Sequence, residues 1–187
     1  MRDKTTLIFF ALLLFYAVGR LYELFLTKKH FNRISEKEIP IELGVRQRAI
    51  MICMHTLWFI SIGVEFFLHG KDVGIPWSFI AIAPLLVAQG LRQHSMSVLG
   101  EMWTTRIYIR PTPIWIDQGL YRWVKHPNYL AVVLEFIALP LLYSCWWTLA
   151  IFSLLNAIVL FFRIKTEEIV FESVNDRPEW VLIPYVF

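Results

Sequence analysis

Three polar residues in the last apolar stretch of the chain, Asn156, Arg163 and Glu167, are spaced i, i+7, i+11. At about 100° per residue this places all three within about 40° of one helix face. Glu168 follows beside the stripe, and Lys165 and Thr166 flank it. An ionisable group inside an apolar helix costs several kcal/mol unless it faces protein or water, so each is a functional candidate. A carboxylate here can hold hydroxyls or an ammonium, and a guanidinium can hold an anion. A plainer reading is a helix becoming charged as it leaves the membrane, with an Arg163–Glu167 pair contributing only a few tenths of a kcal/mol.

A denser signal precedes the neighbouring apolar stretch: Gly119-Leu120-Tyr121-Arg122-Trp123-Val124-Lys125-His126-Pro127-Asn128-Tyr129-Leu130. Pro127 suits the first turn of a helix, which leaves unpaired N–H groups beside His126, Lys125 and two tyrosines, a place suited to a carboxylate. Glu135 lies seven residues after Asn128 on the same face, deep in the apolar run. Arg92 with Gln89 and Gln93, and Arg20 with Tyr16 and Glu23, mark two further helix faces where structural pairing or snorkelling competes with ligand contact. Arg92, Glu135 and Asn156 are candidates for touching a substrate. The five histidines (His30, His55, His69, His94, His126) form no evident pair for haem, since His55 lies mid-span and the others near different membrane faces. Cys53 and Cys145 lie in apolar runs without metal-ligand spacing, so neither a metal nor a disulfide is expected and both read as small buried hydrophobes.

These residues need elements to carry them. The chain is 57% hydrophobic and 18% charged with a mean hydropathy of +0.55, against about 45–50% and 25% in ordinary globular domains. That excludes a disordered or nucleic-acid-coating chain, and a net charge of +3 does not call for a polyanionic partner. Five apolar stretches, roughly 6–26, 49–68, 75–91, 129–145 and 147–163, each approach the roughly 20 residues that cross a bilayer. The expectation is an all-α polytopic membrane protein forming one domain over 1–187, with five transmembrane helices and a tight hairpin at Ser144-Cys145-Trp146-Trp147. Pro140 is expected to kink the fourth span. The first stretch is too long and lacks the cleavage site of a signal peptide, so it reads as retained. Fourteen of the 18 Lys and Arg residues fall in the first loop, the 92–126 segment and the region from Arg163 onward, whereas Arg2, Lys4 and Lys71 fall on the other side and Arg20 within a span. The asymmetry puts the N-terminus outside and the C-terminus in the cytoplasm.

The Gly119–Leu130 run, followed one span later by Arg163-Ile164-Lys165-Thr166-Glu167-Glu168, resembles the isoprenylcysteine carboxyl methyltransferase family. That family pairs a G-x-Y-R-x-x-R/K-H-P-x-Y segment with an R-x-x-x-E-E segment across a helical hairpin. The resemblance covers roughly 80–172. Arg20-Leu21-Tyr22-Glu23-Leu24 and the continuation to Glu135 look more narrowly like a bacterial branch associated with O-methylation of lipophilic polyketides such as alkylpyrones, which implies a bacterial inner or plasma membrane. Lys125 departs from the more usual Arg, losing its planar fork, and the tail ending Ile183-Pro184-Tyr185-Val186-Phe187 lacks the family's F-G-x-x-Y-x-x-Y stretch.

The resemblance implies S-adenosylmethionine as methyl donor in a cytoplasmic site, and no Rossmann fingerprint competes with it. It implies that His126, Tyr129, Leu130 and Glu167 contact the donor, that Tyr121 and Pro127 shape its loop, that Lys125 and His126 hold its carboxylate, and that Arg163 and Glu168 orient donor and acceptor. An acceptor that is already an anion needs no strong base, whereas a weakly acidic enol would need one, with His126 or Glu168 in place. The acceptor is expected to be a lipophilic molecule entering from the bilayer. A phospholipid amine or prenylcysteine carboxylate acceptor, a non-catalytic packing or recruitment protein and an ion carrier built on Arg20, Glu23 and Glu135 are the competing readings.

Overall fold

The computed structural model describes residues 2–37, 39–69, 75–109, 116 and 118–173. Lys71, Arg110 and the tail from 174 onward lie outside the described residues, as do the side chains of Arg2 and Lys4. Five helices carry the chain: α1 (Arg2–Lys37), α2 (Val45–His69), α3 (Ile75–Leu99), α4 (Pro127–Leu142) and α5 (Trp146–Ser173). The all-α reading holds. Three helices are long and apolar enough to cross a membrane among the described residues, over Thr6–Lys37, Val45–Leu68 and Trp146–Ile169.

α4 is different. Its 16 residues rise about 24 Å, short of a hydrocarbon core of about 30 Å. Nine of its residues are buried, so its apolarity serves the protein interior more than lipid. The helices also outrun the apolar stretches that announce them: α1 continues to Lys37, α3 to Leu99 and α5 to Ser173. These charged extensions stand at one end of the bundle. A two-stranded antiparallel ribbon joins them there, β1 (Ile41–Leu43) pairing with β2 (Ile107–Ile109) so that Glu42 faces Tyr108. Gly44 has a φ of +62° and turns the chain from β1 into α2.

The basic loops meet at the ribbon end. Arg48 and Arg106 share Glu42 at 2.9 and 2.7 Å, while Arg33 and Lys37 reach Glu101. At the opposite end α4 and α5 are linked by Tyr143–Cys145, with Ser144 at a φ of 55° and Cys145 N–H donating to the Pro140 carbonyl at 2.9 Å. Pro140 thus sits in the final turn of α4, and its carbonyl closes the hairpin. Glu65 of α2 accepts the backbone N–H groups of Trp147 and Thr148 at 3.1 and 2.8 Å, placing a carboxylate on the N-terminus of α5.

The core lies between α1, α2, α3 and α4. Trp58 stacks on Phe136 at 4.3 Å, and Phe9 stacks on Phe66 at 3.8 Å and meets Tyr143 edge-on at 4.6 Å. In lipid, where tails are as apolar as side chains, such packing contributes through dispersion and geometry; each aromatic pair adds about 0.5–1.5 kcal/mol. A second cluster (Ile34, Leu99, Trp103, Tyr108, Ile116 and Tyr121) supports the ribbon end. Cys145 is buried as expected, but Cys53 is exposed, because it falls on the outward face of α2.

Candidate functional site

The start of α4 and the end of α5 meet at the ribbon end. Pro127 occupies the first helical position and is fully buried, and the His126 carbonyl accepts from the Tyr129 and Leu130 N–H groups at 3.1 Å each. His126 and Tyr129, three residues apart, therefore lie on one face, their rings stacked at 5.3 Å. Arg163 and Glu167, four apart on α5, face them. The Tyr129 hydroxyl donates to Glu167 Oε1 and accepts from Arg163 Nε at 3.2 Å. His126 Nδ1 stands 3.3 Å from Glu167 Oε2, so each carboxylate oxygen has a distinct neighbour. Burial, reinforced by Lys125, lowers the His126 pKa to about 4 against a weaker opposing pull from Glu168. The imidazole is neutral at pH 7, and its contact with Glu167 is a polar one between a carboxylate and an uncharged ring.

Loops complete the arrangement. Arg163 Nη2 donates to the Thr105 carbonyl at 2.9 Å, and the Thr105 N–H donates to Thr27 Oγ1 at 3.0 Å, tying α5 to α1 through the segment before β2. Gly119 has a φ of +57°, and a Cβ there would collide with His94 Nε2. The close approach lets the Leu120 N–H donate to that nitrogen at 3.0 Å and pins the 3-10 turn Gly119–Arg122 to α3. The turn buries Tyr121, whose hydroxyl pKa is pushed up to about 12, chiefly by desolvation.

A cavity of about 360 Å³ extends from this cluster into the bundle, within the range of small-molecule sites. Tyr121, His126, Asn128, Tyr129, Arg163 and Glu167 wall its polar end. Its apolar end is walled by α1 and α2, where Leu21, Ile52 and Ile60 are also exposed on the outside of the bundle. The cavity thus reaches the outer surface between these two helices.

Of the residues singled out in the sequence, Tyr121, His126, Tyr129, Arg163 and Glu167 line this one cavity, and Arg20, Glu23 and His55 line it farther from the start of α4. The others stand elsewhere. Lys125 and Glu168 pair at 3.2 Å on the outside, with side chains 26% and 46% exposed. Leu130 points outward and is 41% exposed. Asn156 is buried, its Oδ1 without a partner, about 10 Å along α5 from Arg163. Arg92 and Glu135 lie behind the wall in a buried quartet: Arg92 donates to Glu23 at 2.6 Å and to Glu135 at 2.7 Å, and Arg20 bonds Glu23 at 2.9 Å and also Glu135. Thr104, Thr105, Arg106, Arg48 and Asn128 also line the cavity and were not anticipated as site residues. The polar Thr104-Thr105-Arg106 run between Trp103 and Ile107 is the one local signal that pointed to that segment.

A sequence profile of the isoprenylcysteine carboxyl methyltransferase (ICMT) family matches residues 79–173, spanning both halves of the cluster. The uncharacterized protein YpbQ of Bacillus subtilis is 34% identical over 160 residues, covering 86% of this chain and 94% of that protein. The chain belongs to the isoprenylcysteine carboxyl methyltransferase family. An uncharacterized protein of Haemophilus influenzae is 27% identical over 150 residues, covering 80% of this family member and 86% of that relative. No solved structure matches. The matched region agrees with the expected motif core of about 80–172. The narrower alkylpyrone branch is not supported, since neither relative's name carries an activity. ICMT membership does give the cluster a context: both motif segments of the family supply residues to a single cavity wall.

Proposed function

We propose that this ICMT-family protein is an integral-membrane S-adenosylmethionine-dependent methyltransferase that methylates an oxygen of a lipophilic acceptor. The observation that carries the reading is the continuity of one cavity from the His126–Tyr129–Arg163–Glu167 cluster to the apolar gap between α1 and α2. A water-soluble donor and a membrane-dissolved acceptor would meet there. The basic loops gathered at the ribbon end favour that end as cytoplasmic, with the N-terminus outside.

The wall residues fit the donor by their chemistry. Glu167 and the buried, unpartnered Asn128 Oδ1 are acceptors for hydroxyl or ammonium hydrogens, and Arg163 and Tyr121 offer donors. S-adenosylmethionine supplies an electrophilic methyl group on a sulfonium sulfur. The chain's own part is orientation and exclusion of water. Tyr129 holds one oxygen of Glu167, His126 stands 3.3 Å from the other, and Arg163 is anchored by Thr105 and Tyr129. The neutral His126 adds a hydrogen-bonding group without adding charge beside a cationic donor.

Membranes containing the protein, incubated with methyl-labelled donor and extracted into organic solvent, are expected to yield a labelled lipid absent from membranes carrying His126→Ala. Label absent from every lipid fraction, with the fold intact and the donor bound, would contradict the reading in favour of a non-catalytic role.

A further inference from the structure

The apolar half of the cavity contains polar groups that the donor end does not use. Arg20 and Glu23 of α1 and His55 of α2 line it at membrane depth. Two contacts fix their level. Arg20 bonds Glu135, and the His55 ring meets Phe136 edge-on at 4.9 Å. Both therefore stand beside the turn of α4 about 10 Å beyond Tyr129. The surrounding wall is Leu21, Leu24, Phe59 and Val132.

The chemistry of these groups is specific. Arg20 uses Nη1 on Glu23 and Nη2 on Glu135, while its side chain remains 15% exposed. A guanidinium has five N–H donors, so these bonds leave others for an oxygen in the cavity. His55 Nδ1 lies 2.8 Å from the Met51 carbonyl. A carbonyl only accepts, so Nδ1 carries the hydrogen, and in the neutral ring Nε2 is left as an acceptor. That Nε2 is buried and has no partner, which is unfavourable until one is found. Charge is the remaining constraint. Arg20, Arg92, Glu23 and Glu135 cancel formally, so the quartet presents no net charge to the cavity.

Resting on the proposed methyltransferase reading, we infer that Arg20 and His55 form an acceptor-headgroup subsite for a neutral, oxygen-bearing head that both accepts and donates hydrogen bonds. A carboxylate would set its lone pairs against His55 Nε2 without an uncompensated cation to attract it. An ammonium would stand beside Arg20.

The test uses the purified full chain in nanodiscs and four probes of equal chain length: an alkylphenol, its methyl ether, the alkylbenzoate and the alkylamine. The phenol is expected to bind at least about tenfold tighter than the ether and tighter than both charged probes. His55→Phe brings the phenol-to-ether ratio close to one, and His55→Gln, which keeps an acceptor, restores part of it. Arg20→Lys weakens the phenol severalfold. If Arg20→Lys does not fold, the His55 pair carries the test. Tighter binding of the benzoate, or an unchanged ratio in folded His55→Phe, overturns the subsite. S-adenosylhomocysteine titrated into the same samples separates the two ideas. Its failure to bind wild type counts against the methyltransferase reading, whereas the phenol-to-ether ratio reports on the subsite alone.

Discussion

Two polar clusters in this protein are built in opposite ways. The one at the cavity's polar end joins only α4 and α5, with Tyr129 bonded to Glu167 and Arg163 across 38 and 34 residues. The quartet behind the membrane half joins α1, α3 and α4, with partners 43, 69 and 115 residues apart. The first holds side chains toward a cavity that can accept a ligand. The second satisfies nearly all its charge internally, and three of its four side chains are under 10% exposed. The two-helix cluster presents groups to the cavity, while the three-helix quartet holds the wall behind it.

Breaking the wall is expected to have the largest effect. Arg92→Met leaves Glu23 and Glu135 undercompensated in a buried setting and should destabilise by about 3–5 kcal/mol. The double variant Arg92→Met/Glu135→Leu should lose less than either single change, as thermal unfolding in detergent would show. If the single and double variants unfold alike, the quartet is not a coupled unit.

The polar cluster should reveal itself through pH. His126 titrates at about 4 when folded and at about 6.5 when unfolded. Between these values the unfolded chain binds a proton that the folded chain refuses. Stability therefore falls as pH drops from about 6.5 to 4 and levels off below, by up to about 3 kcal/mol. His126→Asn should remove that part of the slope in melting curves taken at several pH values; an unchanged slope would show the imidazole to be more solvated than its setting implies.

A smaller effect concerns the turn that presents Tyr121. Gly119→Ala combines a left-handed backbone with a collision against His94 and should destabilise by about 1–3 kcal/mol, measured in the same unfolding assay. The smallest is expected at the outer Lys125–Glu168 pair. Lys125→Ala should change stability by at most about 1 kcal/mol, because exposed pairs are screened by water and salt.

The same contrast explains what the sequence discloses. Apolar runs announced the five helices, because the bilayer imposes a length and a composition on the long ones and the protein interior imposes apolarity on α4. Their charged extensions were announced in part, by the helix face shared by Arg163 and Glu167 and by the charges that follow Leu26, but their ends at Lys37, Leu99 and Ser173 were not. Nor was the ribbon, whose two three-residue strands lie more than sixty residues apart. Tyr121, His126, Tyr129, Arg163 and Glu167 were legible because helix periodicity and a Pro-initiated start act locally. Arg20, Glu23, Arg92 and Glu135 were each visible as costly residues, but their mutual pairing depends on how three helices pack. Asn156 shares the expected face with Arg163, yet the distance along α5 takes it away from the cavity.

The central claim is that the donor is held where α4 begins and α5 ends. Calorimetric titration of S-adenosylhomocysteine into the wild-type protein, Glu167→Gln and Lys125→Ala tests it most directly. The account predicts that Glu167→Gln abolishes measurable binding while Lys125→Ala stays within severalfold of wild type. Wild-type affinity in a folded Glu167→Gln protein would contradict it.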